Sequence, residues 1–345
     1  MQYTTLGYTD LKISKICLGT MTFGEQNTET EGHEQMDYAL AQGVNFFDTA
    51  EMYSIPPRPE TQGSTERIIG TWFKSRGGRD KVVLATKIVG PGPIFSHIRN
   101  PLHINRAQIH LAVEGSLKRL QTDYIDLYQI HWPERQTNRF GKLGYDAFSD
   151  PWEDNFLEIL QALDDLAQAG KIRHFGVSNE TPWGVMHFLH IAEKYGLPRC
   201  RSIQNPYSLL NRTFEIGLAE IAIREQVGLL AYSPLGFGTL SGKYLRHEAA
   251  PTARLHQFKQ YTRYSSPEAQ QATMQYIQIA EKYGFRPAQL ALAFVNARPF
   301  VSSNIIGATT LAQLEENIAS IEVELPQEVL QEIEAVHKSI PSPAP

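Results

Sequence analysis

One pattern repeats eight times along the chain: a short apolar run that ends in a polar residue or glycine, then a loop, then a longer segment with helical periodicity. The apolar runs do not alternate with polar residues, which is typical of parallel strands buried on both faces. The runs lie at residues 16–19, 45–48, 82–87, 125–131, 172–177, 202–205, 228–233 and 301–306. We therefore predict a strand at each of them.

The segments between these runs predict helices, and several carry sequence signals at their ends. Thr181 and Pro182 pair an N-cap residue with proline at the first helical position, and Gly43 and Gly170 stand where helices should stop. The predicted helices span residues 31–41, 64–74, 105–120, 155–169, 181–194, 214–225, 267–283 and 311–318, with an extra helix at 287–297.

Eight strand–helix units without a strand-only region predict a parallel sheet that closes through right-handed crossovers into a (β/α)8 TIM barrel. A length of 345 residues alone allows one barrel or two smaller domains, and the recurrence favours a single barrel domain over residues 1–345. Residues 3–14 predict an N-terminal β-hairpin that caps the barrel. Residues 132–152 and 236–267 predict long functional loops at its C-terminal face, and 341–345 an extended tail.

The composition indicates a globular protein and argues against several classes of function. Its 32 Lys and Arg against 37 Asp and Glu give a net charge of -5 without a basic block, so we expect no binding to nucleic acid or to a membrane surface. Only Cys17 and Cys200 are present, and the first residues lack a signal-peptide pattern. These features predict a cytoplasmic protein without disulfides.

Ionisable side chains end three consecutive predicted strands, where a barrel core should carry apolar residues. Asp48, Lys87 and His131 each close a strand, and Tyr53 follows Asp48 by five residues. Since the C-terminal ends of parallel strands meet on one face, we expect these four groups to converge there, on the face where barrel enzymes build their sites.

These four residues predict proton transfer to an oxygen atom. The Lys87 ammonium is expected to lower the pKa of Tyr53 from its usual value of about 10, so that Tyr53 acts as a general acid near neutrality. Asp48 would keep Lys87 charged and oriented, and His131 would donate a hydrogen bond to a carbonyl oxygen. Each residue alone could be structural, but their joint occurrence at three strand ends favours a catalytic site.

The four residues lie in motifs that resemble the aldo-keto reductase family, and more specifically its bacterial Tas-type members. The resemblance runs nearly from end to end and includes GTMTFG at 19–24, FDTAEMY at 47–53, Lys87, SLKRL at 116–120, DYIDLYQIH at 123–131 and GKIRHFGVSN at 170–179. It implies a catalytic tetrad of Asp48, Tyr53, Lys87 and His131, in which Tyr53 protonates a carbonyl that receives hydride from NADPH.

The resemblance also implies NADPH/NADP+ as cofactor and a small-molecule carbonyl as substrate, without a metal. It assigns Ser178, Asn179 and Gln204 to the nicotinamide carboxamide and Tyr232 to stacking on the ring. Arg254 is assigned to the phosphates. The loop over the pyrophosphate, with Lys243 as a phosphate partner, comprises Ser233, Pro234, Leu235, Gly236, Phe237, Gly238, Thr239, Leu240, Ser241, Gly242, Lys243 and Tyr244. The adenosine end is assigned to a helix N-terminus, suited to anions, with Gly307, Thr309, Gln313, Glu316 and Asn317.

Two departures from the family pattern affect specificity. Many members carry an arginine that binds the 2'-phosphate where Gln313 stands, so a preference for NADPH over NADH would depend on Lys243 and Arg254. The proline-rich segment 54–63 is longer than usual in the family. It is expected to form a wall of the substrate pocket with Met21, Trp132 and Phe237, which favours an apolar or aromatic carbonyl.

Other interpretations stay open at this stage. Relatives with this fold and tetrad serve in larger assemblies, so the main alternative is an NADPH-binding sensor or a channel-associated regulatory subunit with little turnover. A barrel hydrolase would need a second carboxylate near Asp48. The glycines at 236, 238 and 242 nearly form a dinucleotide fingerprint, but the last comes one residue late. His187 and His190 lie three apart on a predicted helix, without a third ligand for a metal.

Overall fold

Eight parallel strands close into a barrel in the computed structural model, which describes residues Met1–Pro345. Each strand pairs with the next one along the chain, and the last pairs with the first, so that no edge remains. The barrel strands are β3 (Ile16–Gly19), β4 (Phe46–Asp48), β5 (Val83–Ile88), β6 (Ile125–Ile130), β7 (Ile172–Ser178), β8 (Ser202–Pro206), β9 (Gly228–Tyr232) and β10 (Val301–Ile306). The predicted (β/α)8 TIM barrel is confirmed.

Helices surround the barrel, and most of them begin and end within a few residues of the predicted bounds. They are α1 (Glu29–Ala41), α2 (Ser64–Arg76), α3 (Arg106–Leu120), α4 (Phe156–Gln168), α5 (Pro182–Tyr195), α6 (Leu218–Arg224), α7 (Arg254–Gln257), α8 (Pro267–Lys282), α9 (Pro287–Asn296), α10 (Leu311–Ala319) and α11 (Gln327–Ser339). The helix predicted at 214–225 was too long, because Gly217 takes a φ of 87° and separates α6 from a short 3-10 turn. The sequence analysis missed α7 and α11.

The N-terminal hairpin closes one end of the barrel, as predicted. Strands β1 (Tyr3–Thr5) and β2 (Lys12–Ser14) pair antiparallel. Leu6, Leu11 and Ile13 are buried in one cluster with barrel-interior residues that include Cys17 and Phe46. This apolar layer fills the N-terminal end of the barrel, so the polar strand ends are confined to the opposite face.

The last five residues pack against the barrel loops. The backbone N–H of Ala344, which is only 1% exposed, donates to the Leu210 carbonyl at 3.0 Å. The Arg212 N–H donates to the Ser342 hydroxyl at 3.1 Å. Leu210 and Arg212 follow β8, so the tail lies at the same end of the barrel as the polar strand ends. None of the helices has the length and apolarity that a membrane crossing requires.

The close contact between α2 and α3 generates a test of the packing. A methyl group at Gly70 would lie 2.3 Å from the Arg119 carbonyl oxygen and 2.9 Å from the Leu120 carbonyl carbon, both backbone atoms that cannot give way. We expect Gly70→Ala to lower the free energy of unfolding by about 1–3 kcal/mol. Urea denaturation followed by circular dichroism would measure it.

Gly115→Ala on α3 is the matched control, since its added methyl meets the end of the flexible Arg119 side chain, at 3.0 Å, rather than backbone. Equal stability of the Gly70→Ala variant and the wild type would contradict this account of the α2–α3 contact.

Candidate active site

The centre of the site is a buried ion pair. Lys87 is completely buried, and its ammonium donates to Asp48 Oδ2 and to the Thr49 carbonyl, both at 2.7 Å. The register of β4 on β5 pairs Asp48 with Ala85, two residues before Lys87, so both side chains point into the barrel. Burial alone would lower the pKa of Lys87, but the charge and hydrogen bond of Asp48, with Tyr53, raise it above its usual value. Lys87 is therefore a fixed cation at neutral pH.

Tyr53 lies beside this cation, but its pKa moves against the prediction. The Lys87 Nζ atom is 5.1 Å from the centre of the Tyr53 ring. Burial raises the pKa of Tyr53 above 10. The charge of Lys87 lowers it, but only in part, because the charge of Asp48 raises it again. The predicted lowering of the Tyr53 pKa was wrong. Exclusion of water disfavours the phenolate, and this effect outweighs the attraction of the Lys87 ammonium, whose charge is partly neutralised by Asp48. Tyr53 is therefore a phenol at neutral pH.

His131 completes the group directly after β6. Its ring lies edge-on to that of Tyr53, with centroids 5.7 Å apart. Burial, followed by the charge of Lys87, holds the pKa of His131 well below 6.5, so the imidazole is neutral. Its Nδ1 atom is buried without a hydrogen-bond partner. A buried N–H without an acceptor is rare in proteins, which favours the proton on Nε2.

A chain of amides connects this group to the next strands. Gln204 Nε2 donates to Asp48 Oδ1 at 2.8 Å and to Gln129 Oε1 at 3.2 Å. Gln129 Nε2 also donates to Asp48 Oδ1, at 3.2 Å. Sequence reasoning missed Gln129, although its position two residues before His131 places it on the same, inward face of β6.

Asn179 ties the end of β7 to His131 and Tyr232. Its Nδ2 atom donates to the His131 carbonyl at 2.8 Å, and its Oδ1 atom accepts from the Tyr232 hydroxyl at 2.6 Å. Ser178 Oγ donates to the Gln204 carbonyl at 2.7 Å. The structure thus brings together the residues assigned to the nicotinamide: Ser178, Asn179, Gln204 and Tyr232.

Two cations without acidic partners lie in the long loop after β9. Lys243 and Arg254 are half-buried, and neither forms a salt bridge. A methyl at Gly238 would lie 2.9 Å from Lys243 Nζ, so that glycine leaves room for the ammonium. Arg254 stacks over the Phe237 ring at 5.1 Å. The pKa of Lys243 is lowered by burial and by the charge of Arg254. An anion bound between the two cations would offset both the loss of water and the repulsion.

The N-terminus of α10 carries the residues assigned to the adenosine end. Thr310 caps the helix, and Gln313 Oε1 accepts from the Thr309 backbone N–H at 3.0 Å. Asn317 Nδ2 donates to the Gly307 carbonyl at 3.1 Å, and Glu316 lies 3.7 Å from Arg286. Gln313 therefore braces the turn before the helix and supplies no positive charge there.

The loop 132–152 begins beside the site, with Trp132 directly after His131. Trp132 contacts the rings of His131 at 4.9 Å and Phe140 at 5.7 Å. Apolar side chains further along the loop are exposed: Phe140, Leu143, Tyr145 and Phe148. The proline-rich segment is anchored nearby through Ile55, whose N–H donates to the Met21 carbonyl at 3.0 Å.

No group of three or more His, Cys, Asp or Glu side chains is arranged to hold a metal ion. His187 instead pairs with Asp154 at 2.6 Å. A nicotinamide dinucleotide does fit the donor set, since Lys243 and Arg254 offer uncompensated positive charge and Gln204 Oε1 accepts no hydrogen bond within the protein.

The fold and the comparisons with known proteins together define a barrel oxidoreductase. The aldo/keto reductase family model matches residues 15–338, and the chain belongs to that family. It is 53% identical to Protein tas of Escherichia coli (strain K12) over the full length of both chains. It is 36% identical to the uncharacterized oxidoreductase YrpG of Bacillus subtilis (strain 168), covering 96% of this chain and 94% of that one. It is 32% identical to norsolorinic acid reductase stcV of Emericella nidulans, covering 94% and 78% respectively.

The electrostatics of the site predict that His131 stays neutral across the physiological range. Its lowered pKa means that the unfolded chain binds a proton more readily, so stability falls as pH drops below about 6.5. Nitrogen-15 NMR of the histidine rings, with His131→Gln to assign the signal, should show no titration of His131 between about pH 8 and about pH 6. Protonation of His131 at or above pH 6.5 would contradict the argument from burial.

Proposed function

We propose that the protein is an NADPH-dependent reductase of aldehydes or ketones, with Tyr53 as the proton donor. The observation that carries this proposal is the placement of a neutral phenol beside a buried, fixed ammonium at the C-terminal end of the barrel. A phenol can give up its proton to a carbonyl oxygen as negative charge develops there. The adjacent Lys87 then stabilises the phenolate that remains.

Each residue of the tetrad has a distinct part in this reaction. Asp48 and the Thr49 carbonyl hold two of the three Lys87 protons, which leaves the third available to the phenol oxygen. His131, neutral with its proton on Nε2, donates to the carbonyl oxygen and orients it toward Tyr53. The dry, preorganised surroundings make these interactions stronger than they would be in water.

The cofactor, when bound, supplies the hydride. Asn179, Ser178 and Gln204 would bind its nicotinamide carboxamide, and Tyr232 would stack on the ring. Lys243 and Arg254 would hold the phosphates, with the rest of the 233–244 loop closing over them. The adenosine end is assigned to the turn before α10, from Gly307 to Thr309, and to that helix's first two turns, with Gln313, Glu316 and Asn317. A location in the cytoplasm, and a single domain over residues 1–345, stay predictions; the free, buried Cys17 and Cys200 agree with the former.

Replacement of Tyr53 tests the proposed role directly. We expect Tyr53→Phe to lower kcat for carbonyl reduction by about 10²–10⁴-fold, because the proton donor is lost. The dissociation constant for NADPH, measured by quenching of protein fluorescence, should stay unchanged. Initial rates with a panel of aldehydes, ketones and quinones give the comparison.

Tyr128→Phe is the matched control, since the Tyr128 hydroxyl has no hydrogen-bond partner and the side chain is buried on the outer face of the barrel wall, away from Gln129. It should leave turnover unchanged. Undiminished turnover in Tyr53→Phe would overturn the assignment, and tight NADPH binding without any turnover in the wild type would overturn the proposed function itself.

The NADPH preference has its own test at Gln313. If the 2'-phosphate lies near the N-terminus of α10, Gln313→Arg should tighten NADPH binding by about tenfold, since an arginine–phosphate pair adds a charge-assisted contact. NADH lacks that phosphate, so its dissociation constant should stay within about twofold of the wild-type value. Equal changes for both cofactors would place the phosphate elsewhere.

A further inference from the structure

A second buried ion pair lies close to the pair of Lys87 and Asp48, and the reaction proposed above gives it no part. Glu51 is 1% exposed and lies two residues before Tyr53. Arg99, in the loop between β5 and α3, donates to both of its carboxylate oxygens, from Nη1 to Oε2 and from Nη2 to Oε1, each at 2.7 Å. A planar, two-point contact of this kind fixes the orientation of both groups as well as their distance.

The Glu51 carboxylate takes the place of a backbone group in the sheet. The Glu51 N–H donates to the Lys87 carbonyl at 3.2 Å, which extends the pairing of β4 with β5 beyond Asp48. In a regular parallel pair the Val89 N–H would then donate to the Glu51 carbonyl. It donates instead to Glu51 Oε1 at 2.7 Å, and the Glu51 carbonyl accepts from Gln62 Nε2, also at 2.7 Å. The side chain thus holds β5 while the backbone turns away from it.

The backbone that turns away at Glu51 carries the phenol. The Tyr53 N–H donates back to the Ala50 carbonyl at 3.1 Å, which makes residues 50–53 a tight turn. Because both the backbone and the carboxylate of Glu51 are bonded to β5, the turn has a fixed position relative to Lys87 near the end of that strand. The distance of 5.1 Å between Lys87 Nζ and the centre of the Tyr53 ring depends on that position.

Arg99 connects the same turn to the start of α3. Its Nε atom donates to Gln108 Oε1 at 3.3 Å. The Gln108 N–H in turn donates at 3.0 Å to Oδ1 of Asn105, the residue that caps α3. The turn that carries Tyr53 is therefore braced against a helix as well as against a strand.

Apolar side chains flank both members of the pair. Met52 follows Glu51 and belongs to a buried apolar cluster, and Ile98, which precedes Arg99, packs against that cluster, as does Tyr53. Little water competes for the two charges in such surroundings, so the contact between them is strong. Replacement of a buried ion pair by apolar residues is often neutral for stability. A role in fixing geometry therefore accounts for the pair better than stability does.

We propose that Glu51 and Arg99 are positioning residues for the proton transfer, and that they hold Tyr53 in place relative to Lys87. The inference rests on the proposed function. Proton transfer needs donor and acceptor at hydrogen-bond distance, and a displacement of about 1 Å can lower a rate by about 100-fold. The pair touches no reacting atom in this scheme and acts through Tyr53.

Glu51→Gln tests the proposal, because an amide keeps the shape of the carboxylate but accepts hydrogen bonds at only one of its two terminal atoms. Its NH2 group or its oxygen then faces each Arg99 N–H, so the two-point contact is lost. We expect the single-turnover rate of NADPH oxidation, with the best substrate of the aldehyde, ketone and quinone panel, to fall by about tenfold to 100-fold. KM for that substrate and the dissociation constant of NADPH should stay within about threefold of the wild-type values.

Asp126→Asn is the matched control at the opposite end of the barrel. Asp126, near the start of β6, is 2% exposed and, like Glu51, accepts from a backbone N–H of β5, that of Leu84, at 2.9 Å. Its other donors are Arg79 at 2.7 Å and Arg173 at 2.9 Å. Both variants should unfold at a lower urea concentration than the wild type, whereas only Glu51→Gln should slow NADPH oxidation.

Arg99→Lys is the conservative variant of the partner residue. It keeps one charged contact with the Glu51 carboxylate but loses the two-point geometry, so it should slow the single-turnover rate less than Glu51→Gln does. Where Glu51→Gln does not fold, Arg99→Lys with Arg79→Lys as its control makes the same comparison.

The outcomes separate the two hypotheses. A Glu51→Gln variant that oxidises NADPH as fast as the wild type, or equal slowing of Glu51→Gln and Asp126→Asn, would overturn the positioning role while the reductase function stands. A wild-type protein that binds NADPH but reduces no member of the panel would overturn the proposed function, and the positioning role with it.

Discussion

The buried pair of Lys87 and Asp48 is the interaction on which the rest of the site depends. A completely buried ammonium is tolerated only with an anion and further acceptors beside it, and neighbouring parallel strands in the observed register supply both. The hairpin fills the other end of the barrel with apolar side chains. The charge of Lys87 therefore has a fixed position near Tyr53 and His131, and water cannot reach it from the N-terminal end of the barrel.

This arrangement explains why the two titrating groups stay neutral. Burial disfavours both the phenolate of Tyr53 and the imidazolium of His131, so their pKa values move apart, upward for the acid and downward for the base. A site with one fixed cation and two neutral donors suits an acceptor that becomes negative during reaction. In the proposed reduction, the positive charge of Lys87 would be balanced further when the substrate oxygen becomes negative, rather than before.

Much of the fold could be predicted from the sequence, because each strand–helix unit has its own periodicity and end signals. The eight strands and the hairpin were predicted within one or two residues, whereas α11 was missed because it lies beyond the eighth unit and outside the repeat. The convergence of Asp48, Lys87 and His131 follows from the parallel topology alone. The pKa of Tyr53 was predicted wrongly, since a sequence shows which charges are near but not how far water is excluded. Gln129 was missed because it stands inside β6, before the strand end at which the sequence analysis looked for polar residues.

The polarity of the Gln204 amide carries a further consequence. A carboxylate can only accept, so Asp48 requires the nitrogen of Gln204 to face it, and the second hydrogen of that nitrogen is taken by Gln129. Gln204 Oε1 is then left without a hydrogen bond inside the protein. In the proposed reductase, a nicotinamide carboxamide bound here would donate its NH2 group to that oxygen. The Asp48 carboxylate would thus fix, through one intervening amide, which way the bound carboxamide faces.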